Sequence, residues 1–209
     1  MSSAEGVNVS RRRMLIGTTA VMGGVGVVAA VTPFVKTWNP SAKAKAAGAS
    51  VTQDISSIEA GQMIVVEWRG MPVFVVSRTA EMLANLPKND SQLRDPQSAE
   101  SVQPDYAKNL TRSRSAEMLV VTGVCTHLGC APGYRPEVGA ADLGGADWFG
   151  GFYCPCHGSK YDLAGRVFQG VPAPLNLPVP PYTLQGTILT VGEGQFMSMG
   201  KKLMGWVDA

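Results

Sequence analysis

C-T-H-L-G-C from Cys125 to Cys130 and C-P-C-H-G-S from Cys154 to Ser159 are the stretches on which the reading of this chain turns. They stand 23 residues apart, and the 4 Cys and 2 His of the 209-residue chain all fall inside them. Thiolate and imidazole are the ligands that transition metals such as zinc, copper and iron select. A sequence that places every one of them in two short loops is read as a metal site.

A structural zinc takes four such ligands at tetrahedral corners. Here six are offered. One Cys and one His stand close together in each box, Cys125 with His127 and Cys154 with His157, and each box holds one further cysteine, Cys130 or Cys156. Two loops of this kind, facing each other, can present two thiolates to one iron and two imidazoles to a second, the mixed ligation of a Rieske [2Fe-2S] centre. The two remaining cysteines are free to pair.

The boxes closely resemble those of the Rieske iron-sulfur subunit of ubiquinol:cytochrome c reductase, the respiratory cytochrome bc-type complex. The resemblance extends over nearly the whole chain, through the N-terminal anchor, the strand pattern after residue 51, Y-D-L-A-G-R at 161–166 and P-A-P-L-N-L at 172–177. It implies one [2Fe-2S] cluster with Cys125 and Cys154 on one iron, His127 and His157 on the other, and a disulfide between Cys130 and Cys156. It also implies that Ser159 and Tyr161 donate hydroxyl hydrogen bonds to a cluster sulfide and a ligand sulfur, which stabilise the reduced form and raise the potential. Otherwise Ser159 closes a turn and Tyr161 packs in the core. Leu128 is either an apolar shield beside His127 or an ordinary core leucine. The family's proline loop reads G-P-A-P, whereas here Val171 separates Gly170 from Pro172-Ala173-Pro174.

Charge explains the ligand choice. Two ferric ions and two sulfides are neutralised by two thiolates, so mixed ligation leaves an uncharged cluster that accepts an electron readily, at roughly −150 to +300 mV. The added electron strengthens the hold of the iron-bound imidazoles on protons. Electron uptake is thereby coupled to proton uptake, as oxidation of a quinol demands. The implied role is electron transfer from ubiquinol to a c-type haem, with His157 accepting the quinol's hydrogen bond and proton and a cytochrome b completing the quinone pocket. The implied assembly is a dimeric complex of cytochrome b, c-type cytochrome and iron-sulfur subunits.

Ser10-Arg11-Arg12-Arg13-Met14-Leu15 has the look of a twin-arginine export signal. The 22 residues Met14 to Val35 carry no charge; at about 1.5 Å per residue they reach about 33 Å, enough for a hydrocarbon core of about 30 Å. Arginines before the run and Trp38 after it fit a single pass with a cytoplasmic N-terminus, a bacterial inner-membrane protein with its head in the periplasm. Ala42-Lys43-Ala44 offers a signal-peptidase alternative, but a cleavable apolar region is usually about 7 to 15 residues long. The oxidising periplasm permits a disulfide.

The expected organisation is therefore a signal and anchor at 1–38, a small-residue hinge at 39–50, a head at 51–191 whose cluster-binding part covers about 118–180, and a tail at 192–209. The fold class is mainly β: an antiparallel Rieske-type sandwich with a small cluster-binding subdomain, after one transmembrane helix. Strands are predicted at Val51–Ile58, Gln62–Trp68, Pro72–Ser77, Met118–Val124, Phe149–Tyr153 and across 182–191, with a helix capped by Thr79. Residues 90–115 read as a polar surface insertion, and 131–148 as a loop without a core of its own. The tail, with Met197, Met199 and Trp206, reads as a partner-binding helix or a frayed end.

A formal charge of +2 with no basic stretch interleaved with aromatics gives no basis for nucleic-acid binding. A ring-dioxygenase Rieske component would lack Cys130, Cys156 and the anchor. The Rieske subunit of an arsenite oxidase and a zinc-stabilised periplasmic module are the remaining alternatives.

Overall fold

The computed structural model describes residues 6, 8–42 and 48–192, and the chain forms two compact units that divide between residues 46 and 47. Hinge residues 43–47 and tail residues 193–209, on which sequence expectations fell, lie outside the described residues.

The first unit contains the long helix α1 (Val9–Lys36), 28 residues. Asn8 caps it by accepting the Arg11 N–H at 3.1 Å. Its apolar side chains face outward, as a helix in contact with lipid requires. The hydroxyls of Thr18 and Thr32 donate back to the carbonyls of Met14 and Val28 at 2.9 and 2.6 Å, so neither leaves a polar group unsatisfied in hydrocarbon.

The described residues of the second unit form nine short strands in three antiparallel sheets. β1 (Val51–Asp54), β9 (Ile188–Val191) and β8 (Tyr182–Gln185) form one; β2 (Met63–Trp68), β3 (Met71–Ser77) and β4 (Met118–Thr122) form the second. These two share a single core in which Val73, Val75, Val76, Leu119, Val120 and Val121 meet Tyr182, Leu189 and Val191. The uninterrupted V-F-V-V of β3 is buried at every position, as a central strand with both faces covered demands. Arg69 and Gly70 make the two-residue turn between β2 and β3.

The third sheet, β5 (Gly133–Arg135), β6 (Gly151–Tyr153) and β7 (Lys160–Asp162), carries the cluster-binding part. It is joined to the base by stacking of Phe152 on Phe74, ring centroids 5.6 Å apart. The Phe74 ring also occupies the space that a Cβ on Gly123 would need, so glycine lets the chain leave β4 toward Cys125.

The base strands follow the sequence expectation closely, and the departures have local causes. β1 stops at Asp54 because its carboxylate accepts the Ser56 N–H at 2.9 Å and turns the chain. Thr79 caps α2 (Ala80–Asn85) as predicted, accepting the Met82 N–H at 3.2 Å. Residues 90–115 are not a surface insertion: Ser98, Ser101, Gln103, Arg112 and Ser113 are buried, because this segment lies over the back of the cluster-binding part and its polar groups are paired there. Residues 131–148 do have a small core, Leu143 and Trp148 packed with Leu93 and Phe168.

Candidate metal centre

Both boxes fold into the same turn. In the first, the Cys125 N–H donates to the Cys130 carbonyl at 2.8 Å and the Gly129 N–H to the Cys125 carbonyl at 3.0 Å. In the second, the Cys154 N–H donates to the Ser159 carbonyl at 2.8 Å and the Gly158 N–H to the Cys154 carbonyl at 2.9 Å. Gly129 and Gly158 take φ of 85° and 76°, where a side chain would be strained. The glycine four residues after the leading cysteine is the sequence signal of this shared turn.

The turns bring the six ligand-type side chains to one end of the unit. Cys125 and Cys154 are free and buried, and the Cys125 thiol lies close enough to that of Cys154 to disfavour its ionisation. The imidazoles of His127 and His157 stand edge to face with centroids 4.7 Å apart. His157 is exposed and His127 half-buried. Cys130 and Cys156 are joined in a disulfide that links the turns. The sulfurs of Cys130, Cys154 and Cys156 lie within 4.8 Å of one another, but two of these are bonded together. The trio is a disulfide packed against one free thiol, not a ligand set.

The chain matches two family models, "Ubiquitinol-cytochrome C reductase Fe-S subunit TAT signal" over residues 1–41 and "Rieske [2Fe-2S] domain" over residues 50–181. Ubiquinol-cytochrome c reductase iron-sulfur subunits are similar to it: that of Allochromatium vinosum is 57% identical, covering 91% of this chain and 92% of the relative. That of Rhodospirillum rubrum is 48% identical over 87% and 90%. A chain of a solved structure titled "Hyperthermophilic respiratory Complex III" is 30% identical, with a TM-score of 0.46, over 83% of this chain and 97% of that one. The chain belongs to the Rieske iron-sulfur subunits of ubiquinol-cytochrome c reductase. The arsenite-oxidase, dioxygenase and zinc-module alternatives give way to this assignment.

Membership of the Rieske family brings one [2Fe-2S] cluster, and the donor set fits it. Two buried thiols and two imidazoles face one end of the unit, and the buried Nδ1 of His127 has no hydrogen-bond partner. Burial, and secondarily the neighbouring Cys125, push the Cys154 thiol above its ordinary range. A thiol that resists ionisation in isolation gives up its proton when a metal takes its place.

The two hydroxyls that the resemblance singles out, Tyr161 and Ser159, lie beside the two turns. Tyr161 Oη lies 3.2 Å from Cys125 Sγ and accepts the Thr126 N–H at 3.1 Å. Burial, then the contact with Cys125, push its phenol well above the usual tyrosine range, so it remains a donor. Ser159 Oγ is buried and accepts the Ala173 N–H at 3.1 Å, which leaves its own hydrogen to donate. That bond also holds the proline loop, so the additional Val171 does not detach it. Leu128 is 71% exposed; it is no core residue.

Thr126 was not foreseen. Its hydroxyl donates to the Leu175 carbonyl at 2.7 Å, which ties the first turn to the proline loop. A threonine between a cysteine and a histidine carries no signal of a partner 49 residues away.

Proposed function

We propose that this chain is the electron-transfer subunit of a membrane quinol:cytochrome c oxidoreductase, with Cys125 and Cys154 binding one iron and His127 and His157 the other. The observation that carries the reading is the pair of like-folded turns. They join two buried thiols to two imidazoles at one end of the unit while the remaining cysteines close a disulfide.

The cluster supplies, when bound, a one-electron acceptor of high potential for its class. The protein supplies the rest. His157, being exposed, offers its Nε2 to the hydroxyl of ubiquinol, accepts a hydrogen bond there and then holds the proton. Leu128, exposed and next to His127 in the chain, presents an apolar surface to the quinone pocket, which a cytochrome b subunit completes. Tyr161 and Ser159 aim fixed O–H donors where negative charge accumulates, so no reorganisation is needed as it appears. The disulfide keeps the two turns in register.

The family's twin-arginine signal at 1–41 and the long apolar α1 support an anchored inner-membrane protein with its head in the periplasm. At about 1.5 Å per residue α1 reaches about 42 Å, longer than the hydrocarbon core of about 30 Å. The cytochrome b and c-type cytochrome subunits are its partners in a dimeric complex. Residues 39–50 act as the hinge on which the head moves between the quinol and the haem.

The deciding test is the EPR spectrum of the reduced full-length protein together with iron and acid-labile sulfide analysis. Two irons and two sulfides per chain with a mixed-ligand signal are expected; zinc, or iron without sulfide, sinks the reading. Consecutive prolines at 44–47 are expected to slow haem reduction and leave that spectrum unchanged.

A further inference from the structure

Three guanidinium groups are buried behind the ligand turns, and nothing in the function above uses them. Arg78, Arg112 and Arg166 are 2%, 0% and 0% exposed. Arg78 Nη1 donates to the Leu163 and Thr111 carbonyls at 2.9 and 3.0 Å, and its Nη2 to Ser113 Oγ at 2.8 Å. Arg112 donates to the carbonyls of Ala164, Gly165 and Leu177 at 3.0, 3.1 and 2.8 Å and to Gln103 Oε1 at 3.0 Å. Arg166 pairs with Asp162 at 2.8 Å and Asp90 at 2.7 Å.

The anions are less buried than the cations. Asp162 is the one carboxylate among the described residues that is fully buried, the Asp90 side chain is 39% exposed, and Asp95, which also acts on Arg112, is half-buried. Carbonyls and neutral side-chain oxygens, not carboxylates, accept the hydrogen bonds of Arg78 and Arg112, and Arg78 Nε has no hydrogen-bond partner. Burial pulls both down to about 10, which still leaves them charged at neutral pH. Replacing such buried charges by well-packed apolar groups is often neutral or stabilising, so holding a turn together does not by itself account for them.

Their location supplies a reason. Residues 162–166, whose carbonyls Arg78 and Arg112 bind, directly follow Tyr161, whose hydroxyl touches Cys125 Sγ. Leu177, bound by Arg112, lies two residues beyond Leu175, whose carbonyl Thr126 holds at 2.7 Å. Both walls of the site are thus backed by positive charge. In a dry interior such charge acts over longer distances than in water and is little screened by salt.

We propose that Arg78, Arg112 and Arg166 form a buried positive field, offset by the buried Asp162 and less strongly by the more solvated Asp90 and Asp95, that raises the reduction potential of the cluster by favouring its more negative reduced form. The inference rests on the cluster site assigned above.

The test is a redox titration of the EPR signal in the full-length, cluster-loaded protein, at low and at high salt. Arg112→Met is expected to lower the midpoint potential, Arg112→Lys to keep it near that of the parent, and Asp162→Asn to raise it, with all shifts surviving added salt. Opposite signs for the two neutralising substitutions are the signature of charge. If Arg112→Lys falls as far as Arg112→Met, or if the Asp162→Asn midpoint stays or falls, the field is not the cause and the proposal is overturned. Should Arg112→Met fail to hold a cluster, Asp162→Asn, which keeps the side-chain shape, decides alone. A parent protein without the EPR signal contradicts the site assignment instead, a separate outcome.

Discussion

Both ligand turns close on the same pair of backbone hydrogen bonds, yet they are braced differently. The first is backed by Tyr161, whose hydroxyl reaches Cys125 and the Thr126 N–H, and by Thr126, which grips the proline loop. The second is braced from within, by Ser159 Oγ on the Ala173 N–H, and leaves His157 exposed. The difference teaches that one backbone solution serves two ends: the first turn holds its imidazole half-buried, and the second leaves its imidazole exposed to solvent.

The comparison breaks most sharply at the ligands. Cys125→Ser and Cys154→Ser are each expected to abolish the reduced EPR signal, one in each turn, because both thiolates are proposed to serve the same iron; survival of the signal in either variant refutes the symmetry. His157→Cys tests the asymmetry. An extra thiolate makes the cluster more negative, so its midpoint falls and quinol oxidation in the assembled complex stops, while a variant that still turns over removes His157 from the reaction.

A smaller effect is expected where the turns are joined. Cys156→Ser removes a cross-link of sequence separation 26, which costs about 3 kcal/mol in the chain-entropy model. For a domain of this size the thermal midpoint falls by about 10 °C, to be read by calorimetry. An unchanged midpoint means that the packing between the turns, not the bond, holds them.

Smaller again are the hydroxyl donors. Tyr161→Phe and Ser159→Ala each remove one O–H donor worth about 1 kcal/mol of preference for the reduced state, or about 40 mV for a one-electron couple. Because each acts on a different turn, the double variant should show the sum, and redox titration that finds strong non-additivity argues that the two donors form one network.

The least effect concerns protons in the cluster-free protein. The folded chain holds the Cys154 proton to a higher pH than an unfolded thiol does, so above the unfolded value of about 8.5 the unfolded state binds fewer protons and stability falls as pH rises. Below that pH the contribution is constant. Melting curves between pH 8 and 10 are expected to show this decline and Cys154→Ala to flatten it; an identical slope in the variant locates the titration elsewhere.

The ligands and the base strands were legible because their signals are local. A C-x-H and a C-x-C-H are read within six residues, and V-F-V-V in β3 or the R-G turn within eight. The disulfide and the two hydroxyls came from likeness to a family; the structure forms the disulfide and sets Tyr161 Oη 3.2 Å from Cys125 Sγ. What was misread lay in segments whose partners are remote. Residues 90–115 looked like surface because they are polar, but Arg112 spends its polarity on carbonyls 52 to 65 residues away. β5 and β7 were missed because three residues are too few to show alternation.

By itself, the sequence determined that every thiol and imidazole falls in two short boxes and that an apolar segment precedes a β head, since both follow from residue type and short-range period. Only the tertiary structure decided that the two boxes share one turn, that Thr126 joins the first of them to the proline loop, and that three arginines lie buried behind them. These depend on contacts between positions far apart in the chain, which no local pattern of polarity encodes, and each exists because a buried donor or acceptor must find a partner wherever the fold places one.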